Sequence, residues 1–239
     1  MQKRKTSLPP TVDKDILFYS HLGLGDNSSC NGIAHYLANK YNKNVFVVSK
    51  NKNLENVKFL YKDFPNINVI PVTDDSGGEQ QAVQQVAAER NLHLIHTFIA
   101  SMKDPWDLDF YNMLSIDYEV KFNSSRLPVI DNEHEIISNI YKKYNLRPGE
   151  NFAFIHQDES RGLTFQYKTN LPVVFNQLDL NVFEMSIVLK LASELHMMGS
   201  SLICIAELMK LPKEHQRAYY YDIRSGVINI NNKQNWIKI

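Results

Sequence analysis

The stretch Asp15-Ile-Leu-Phe-Tyr-Ser-His-Leu-Gly-Leu-Gly-Asp-Asn-Ser-Ser-Cys-Asn-Gly-Ile-Ala-His-Tyr-Leu-Ala38 constrains the fold more than any other part of the chain. Ile16 to Tyr19 is an apolar run of strand length. Gly23 and Gly25 suit a turn with positive φ and a close approach to a ligand. Behind them Cys30, Ile33, Ala34, Leu37 and Ala38 recur at helical spacing, so a helix starting near Asn27 or Ser28 turns them inward. A strand, a glycine turn and a helix in that order leave unpaired N–H groups at the helix start, where an anion or a polar substrate can sit. Asp26, at the tip of the turn, can cap the helix or face a substrate as a general base. His21 beside it either hydrogen-bonds a substrate or packs over the turn.

The same alternation continues. Asn44 to Ser49 reads as a second strand, 53–63 as a helix, Asn68 to Val72 as a third strand, and Asp74 to Gly78 as a turn. Glu79 to Arg90 reads as a helix with Ala82, Val83, Val86 and Ala87 on one face, and Leu92 to Phe98 as a fourth strand. Strands and helices at this spacing predict a doubly wound α/β half. The middle then turns aromatic and acidic, from Asp104 to Tyr118; it reads as a short helix at about 107–115 and an extended piece from Tyr118 to Phe122. An amphipathic helix from Asp131 to Tyr144 and an Arg147-Pro-Gly-Glu turn follow. A second half begins at the Phe152 to His156 strand, which runs into the polar loop Gln157 to Gly162. Leu171 to Gln177 is an extended run with Pro172 in it, Val182 to Ala192 an apolar helix, and Glu194 to Met198 a buried strand. Gly199-Ser-Ser201 is a turn, 202–209 a helix, and Ala218 to Ile223 a late strand. The expected architecture is therefore α/β, two Rossmann-like halves, residues 1–130 and 131–239, facing each other across a cleft.

Composition narrows the function classes. A hydrophobic fraction of 44% and a charged fraction of 22% in 239 residues are those of a globular protein. A formal net charge of +0 provides no field for nucleic acid or an anionic membrane. No apolar run spans a bilayer, which leaves only peripheral membrane contact open. The basic start Met1-Gln-Lys-Arg-Lys lacks the apolar segment of a signal peptide. Cys30 and Cys204 lie in apolar helical contexts and read as buried free thiols, pointing to a reducing, cytoplasmic setting. The histidines form no metal-ligand spacing. Asp107-Leu-Asp109 has the spelling of a metal-binding acidic pair but sits in the aromatic helical stretch, so no metal and no other cofactor is expected.

At Gly25-Asp26 and the small-residue helix behind it, the chain resembles the GT-B glycosyltransferases of the ADP-heptose:lipopolysaccharide heptosyltransferase type. The later segment Glu194-Leu-His-Met-Met-Gly-Ser-Ser-Leu-Ile-Cys-Ile-Ala-Glu-Leu-Met209 resembles the nucleotide-sugar end of that fold. The resemblance implies a sugar transfer from a nucleotide diphosphate to an acceptor hydroxyl, which the absence of a metal-binding acidic pair at a strand end makes metal-independent. It implies Asp26 as the base, Ser200 and Ser201 at the donor diphosphate, and Arg161 as the basic residue expected in the loop after the first strand of the second half. The chain departs from the family in carrying Met197-Met198-Gly199-Ser200-Ser201 where heptosyltransferases carry an Asp-Ser-Gly type turn followed by His, which leaves the sugar open.

Each candidate also has a purely structural reading. Gly23, Gly25 and Asp26 suffice as a capped turn. Asp158, Ser160 and Arg161 suffice as a solvated loop, although an arginine can grip two phosphate oxygens at once. Ser200 and Ser201 suffice as a helix cap. Glu184 and Glu194 either hold a sugar hydroxyl or serve structure. His196, among Leu and Met, reads as a core histidine, and Tyr219 to Tyr221 as alternating strand residues. The aromatic segment from Trp106 to Tyr118 reads as packing or as a platform for a sugar ring. Two other function classes stand beside the transferase: a non-catalytic nucleotide- or sugar-binding module, and a dinucleotide oxidoreductase. Against the latter, the third glycine is displaced to Gly32, and the second strand ends in Ser49-Lys50 rather than an acidic residue.

Overall fold

The computed structural model describes residues 7–72, 78–100, 105–176, 179–211, 217–224 and 235–239. The turn expected at 74–78, the basic start of the chain, Asp104 and Gln177 fall on or run into residues outside that description. The chain divides into two compact units, Met1–Pro128 and Val129–Ile239.

The first unit holds four parallel strands, β1 (Ile16–Tyr19), β2 (Val45–Lys50), β3 (Ile67–Val72) and β4 (His93–His96), in the order β3-β2-β1-β4. Tyr19 pairs with His96 at one flank of β1, and Phe18 with Val47 at the other. All four residues of β1 are buried, as a strand covered on both faces requires. The helix α3 (Leu54–Leu60) joins β2 to β3, and alternation along β1 sends Leu17 and Tyr19 into a core with Val48, Ile70, Val72 and, from α4 (Glu79–Glu89), Val83 and Ala87.

The helix after β1 starts earlier than the apolar spacing predicts. It forms two pieces, α1 (Leu24–Ser29) and α2 (Asn31–Tyr41), with the break at Cys30. The cause is Asp26: its carboxylate reaches back to accept from the Gly23 N–H at 2.9 Å, which satisfies an amide at the helix start and fixes the first turn. Gly23 has φ −69°, and Gly25 lies within α1, so the positive φ expected of this pair does not occur. What Gly23 supplies instead is space, since a Cβ there would collide with the Asp26 carboxylate. The inner face of α2 is as expected: Ile33, Ala34 and Leu37 are fully buried.

Two short helices follow β4, namely α5 (Leu108–Met113) and α6 (Val120–Ser124), so the extended piece expected at Tyr118 to Phe122 is corrected to a turn that runs into helix at Val120. A buried ion pair explains the correction. Lys121 and Asp107 are both without solvent exposure, and Nζ lies 2.6 Å from Oδ2. The turn also lets Tyr118 give its hydroxyl to Asp107 Oδ1 at 2.8 Å. The aromatic segment is packing: Trp106, Phe110 and Tyr111 are buried, and the Tyr111 hydroxyl donates to Ser29 O at 2.7 Å. Gly32 permits the close approach of α2 to α6, because a Cβ there would lie 2.6 Å from Val120 O.

The second unit begins with α7 (Glu133–Lys143) and builds a five-stranded parallel sheet from β5 (Ala153–His156), β6 (Val173–Phe175), β7 (Glu194–Met198), β8 (Ala218–Tyr221) and β9 (Ile237–Lys238). Their order is β6-β5-β7-β8-β9. Between β6 and β7 lies α8 (Met185–Leu191), and between β7 and β8 lies α9 (Ser201–Leu208). Phe154, Leu195, Met197 and Tyr220 share one face by register and are buried. The connection from β5 to β6 carries no crossover helix. Leu163 to Thr169 runs as extended chain without joining the ladder, its odd-numbered residues half-buried and its even-numbered ones exposed. Phe165 stacks on Tyr221 with centroids 3.8 Å apart, and Tyr167 lies 5.8 Å from His196. This strap covers the sheet face opposite Phe154 and Met197.

Candidate functional site

In an open parallel sheet, ligands bind beyond the carboxyl ends of the strands, where neighbouring connections leave in opposite directions. In the first unit that point lies between β1 and β4. His21, Gly23, Gly25 and Asp26 follow β1 directly. The structure brings His21 and Asp26 together: Nδ1 and Oδ2 are 3.0 Å apart, with the His21 side chain 61% exposed and that of Asp26 14%. The hydrogen bond to Asp26 raises the basicity of His21 above its ordinary value, against the effect of partial burial. Lys50, at the end of β2, forms an ion pair of 3.0 Å with Glu79 at the start of α4, and both charges act on His21. Tyr19, His96 and Phe98 form an aromatic ladder at the same edge, with centroid separations of 4.6 and 5.5 Å. Sequence reasoning missed this ladder and the Lys50–Glu79 pair, because both depend on which strand ends become neighbours.

In the second unit the corresponding point lies between β5 and β7. Asp158 and Arg161 follow β5 in a short 3₁₀ turn, and Gly199-Ser200-Ser201 follows β7 into α9. The two candidate groups, 38 or more positions apart in sequence, are thus carried by the ends of adjacent strands. Asp158 accepts from Ser160 Oγ at 2.6 Å and forms an ion pair with Arg161 Nε. The Ser160 hydrogen bond and then the Arg161 contacts hold its carboxyl below the ordinary carboxylate range. Ser200 caps α9, its hydroxyl accepting from Leu202 N at 3.1 Å, so the structural reading of Ser200 holds. His156, the last residue of β5, is buried, neither ring nitrogen has a hydrogen-bond partner among the described residues, and burial lowers its pKa to about 4.

The remaining candidates serve the fold. Glu194 is a strand residue whose carboxylate accepts from Arg217 at 2.6 Å and lies 3.4 Å from His196 Nε2. Burial pushes its pKa up, and the bonds from Arg217, Thr169 and His196 outweigh that and hold it low. His196 is a satisfied core histidine, with Nδ1 2.9 Å from the Tyr221 hydroxyl. Glu184 accepts from Asn181 N at 2.8 Å just ahead of α8. Cys30 and Cys204 are buried free thiols. Among the described residues no group of three His, Cys, Asp or Glu side chains could hold a metal ion, and no helix is long and apolar enough to cross a membrane.

A scan of protein families finds none that matches the chain, and no curated protein matches it in sequence. Solved structures do match. A glycosyl transferase family 9 protein from Veillonella parvula aligns over 98% of this chain and 88% of its own, with a TM-score of 0.59 and 8% identity. The ADP-heptose LPS heptosyltransferase II of E. coli aligns over 94% of this chain and 90% of its own, with a TM-score of 0.53 and 10% identity. At these identities the likeness establishes a fold: the chain has the two-unit, Rossmann-like architecture of GT-B glycosyltransferases, as the resemblance in its sequence implied.

Proposed function

We propose that this protein transfers a sugar from a nucleotide-diphosphate donor to an acceptor hydroxyl. The first unit receives the acceptor and the second the donor. One observation carries the reading. Each of the two residue groups singled out in the sequence lies at the carboxyl edge of a parallel sheet, at the point where the strand order reverses. The shared architecture with glycosyltransferases supports it.

In this reading the pair His21–Asp26 takes the acceptor proton, presented by Gly23 at the start of α1 and Gly25 in its first turn. Arg161 exchanges part of its contact with Asp158 for the donor diphosphate. The N–H groups and hydroxyls at Ser200 and Ser201 complete the anion site, so charge on the leaving diphosphate is met by protein groups rather than a metal ion. Isothermal titration with UDP, GDP and ADP tests the donor half: binding to one of them at micromolar to millimolar Kd, weakened about tenfold or more in Arg161→Ala, is expected from a lost charge-assisted contact. Absence of binding to all three refutes the reading. Incubation with UDP-glucose, UDP-N-acetylglucosamine, GDP-mannose and ADP-glucose, with release of the nucleoside diphosphate as readout, then separates an enzyme from a binding module.

A further inference from the structure

We infer that the proton acceptor at the first unit's switch point is the His21 imidazole, through Nε2, and that Asp26 is its positioning residue. The inference rests on the glycosyl-transfer reading and assigns the base within it. Asp26 Oδ2 is already engaged, accepting from Gly23 N at 2.9 Å and facing His21 Nδ1 at 3.0 Å. An ionised carboxylate has no hydrogen to donate, so this contact fixes the tautomer with hydrogen on Nδ1 and leaves the lone pair on Nε2. His21 Nε2 has no protein partner among the described residues. The imidazole, 61% exposed, stands on the solvent side of a carboxylate that is 14% exposed.

The orienting group is itself oriented. The Gly23 amide holds Oδ2, and a side chain at Gly23 would displace it. A base held by a second group that fixes its tautomer is the arrangement of an activated proton acceptor. An imidazole is also the stronger base of the two at neutral pH, and general bases work best with a pKa near the working pH. The charged groups facing His21 are Asp26 on α1, Glu79 on α4 and Lys50 at the end of β2. The first two favour the imidazolium and the third opposes it.

The step balances as follows. The acceptor hydroxyl gives its proton to Nε2 while its oxygen bonds to the anomeric carbon. The bond from that carbon to the diphosphate oxygen breaks, and its electron pair leaves with the diphosphate. The imidazolium then loses its proton to solvent.

Two measurements test this. Long-range ¹H–¹⁵N correlation spectroscopy on the whole chain reads the tautomer and titration of His21 without any substrate. The Nδ1–H form is expected, titrating above 6.5 in the wild type and lower in Asp26→Asn. An Nε2–H tautomer overturns the inference. With the nucleotide sugar that the wild type turns over, His21→Ala is expected to lose about 10²–10⁴-fold in kcat. Asp26→Asn is expected to keep a bell-shaped profile whose acid limb moves to lower pH. A wild type that turns over sugar while His21→Ala matches it overturns this inference alone. A wild type inert toward every donor overturns the glycosyl-transfer reading, and this one with it.

Discussion

Replacing Lys121 with Met isolates the energetics of the charge pair beneath α2. Lys121 and Asp107 are both fully buried, and Asp107 also accepts from the Tyr118 hydroxyl at 2.8 Å. Met fills most of the volume of the lysine stem but strands a carboxylate in the interior. Removing one partner of a buried pair costs about 3–5 kcal/mol. For a urea slope of about 2 kcal/mol/M, the unfolding midpoint should fall by roughly 1.5–2.5 M. Trp106 is buried with its ring 5.7 Å from Phe110, one residue from Asp107, and its fluorescence reports the event. Trp236→Phe as the background removes the signal of the second unit. Adding Asp107→Asn to Lys121→Met removes the stranded charge while keeping an acceptor for Tyr118, and should recover at least half of the loss. A loss below about 1 kcal/mol in the single variant, the scale of an exposed pair, would refute the reasoning. So would a double variant no better than the single one.

Three other outcomes follow from the geometry. His156 titrates near 6.5 when unfolded and at about 4 when folded, so the unfolded chain binds the extra proton between those values. Stability of the second unit should therefore fall as pH drops from 6.5 to about 4, by up to roughly 3 kcal/mol, and His156→Phe should flatten that slope in pH-dependent urea melts. Gly32→Ala drives a methyl to 2.6 Å from Val120 O, a backbone atom that cannot rotate away, and should cost about 1–3 kcal/mol in thermal melts of the first unit. Ser200→Ala removes the α9 cap and should cost about 1 kcal/mol, whereas Ser200→Gly should cost a few tenths.

The regular part of the fold is legible in local pattern. Every strand of the first unit lies within two residues of its expected position, because β1 to β4 are short apolar runs set between helical repeats. The second strand order, with β6 outside β5, has no local signature and had to be seen. Two segments escaped for different reasons. The 118–122 piece looks extended because Tyr118, Val120 and Phe122 alternate with the charged Glu119 and Lys121, but a lysine with no solvent contact inverts that logic. The 163–169 strap does alternate, Leu163-Thr-Phe-Gln-Tyr-Lys-Thr169, and this period of two was the available signal. Of the candidate site, the residues nearest each turn could be read from sequence. The His21–Asp26 contact could not, since it depends on a helix starting at Leu24 rather than at Asn27 or Ser28.

The strap between β5 and β6 also bears on motion. A crossover helix satisfies its own amides, whereas extended chain outside a ladder holds its place chiefly through every second side chain, here Phe165 against Tyr221 and Tyr167 against His196. Such a span peels residue by residue without a cooperative barrier, so amide protons at 164–168 should exchange well before those of β5 and β7. Lifting it would open the Glu194–His196–Tyr221 chain to water from one side.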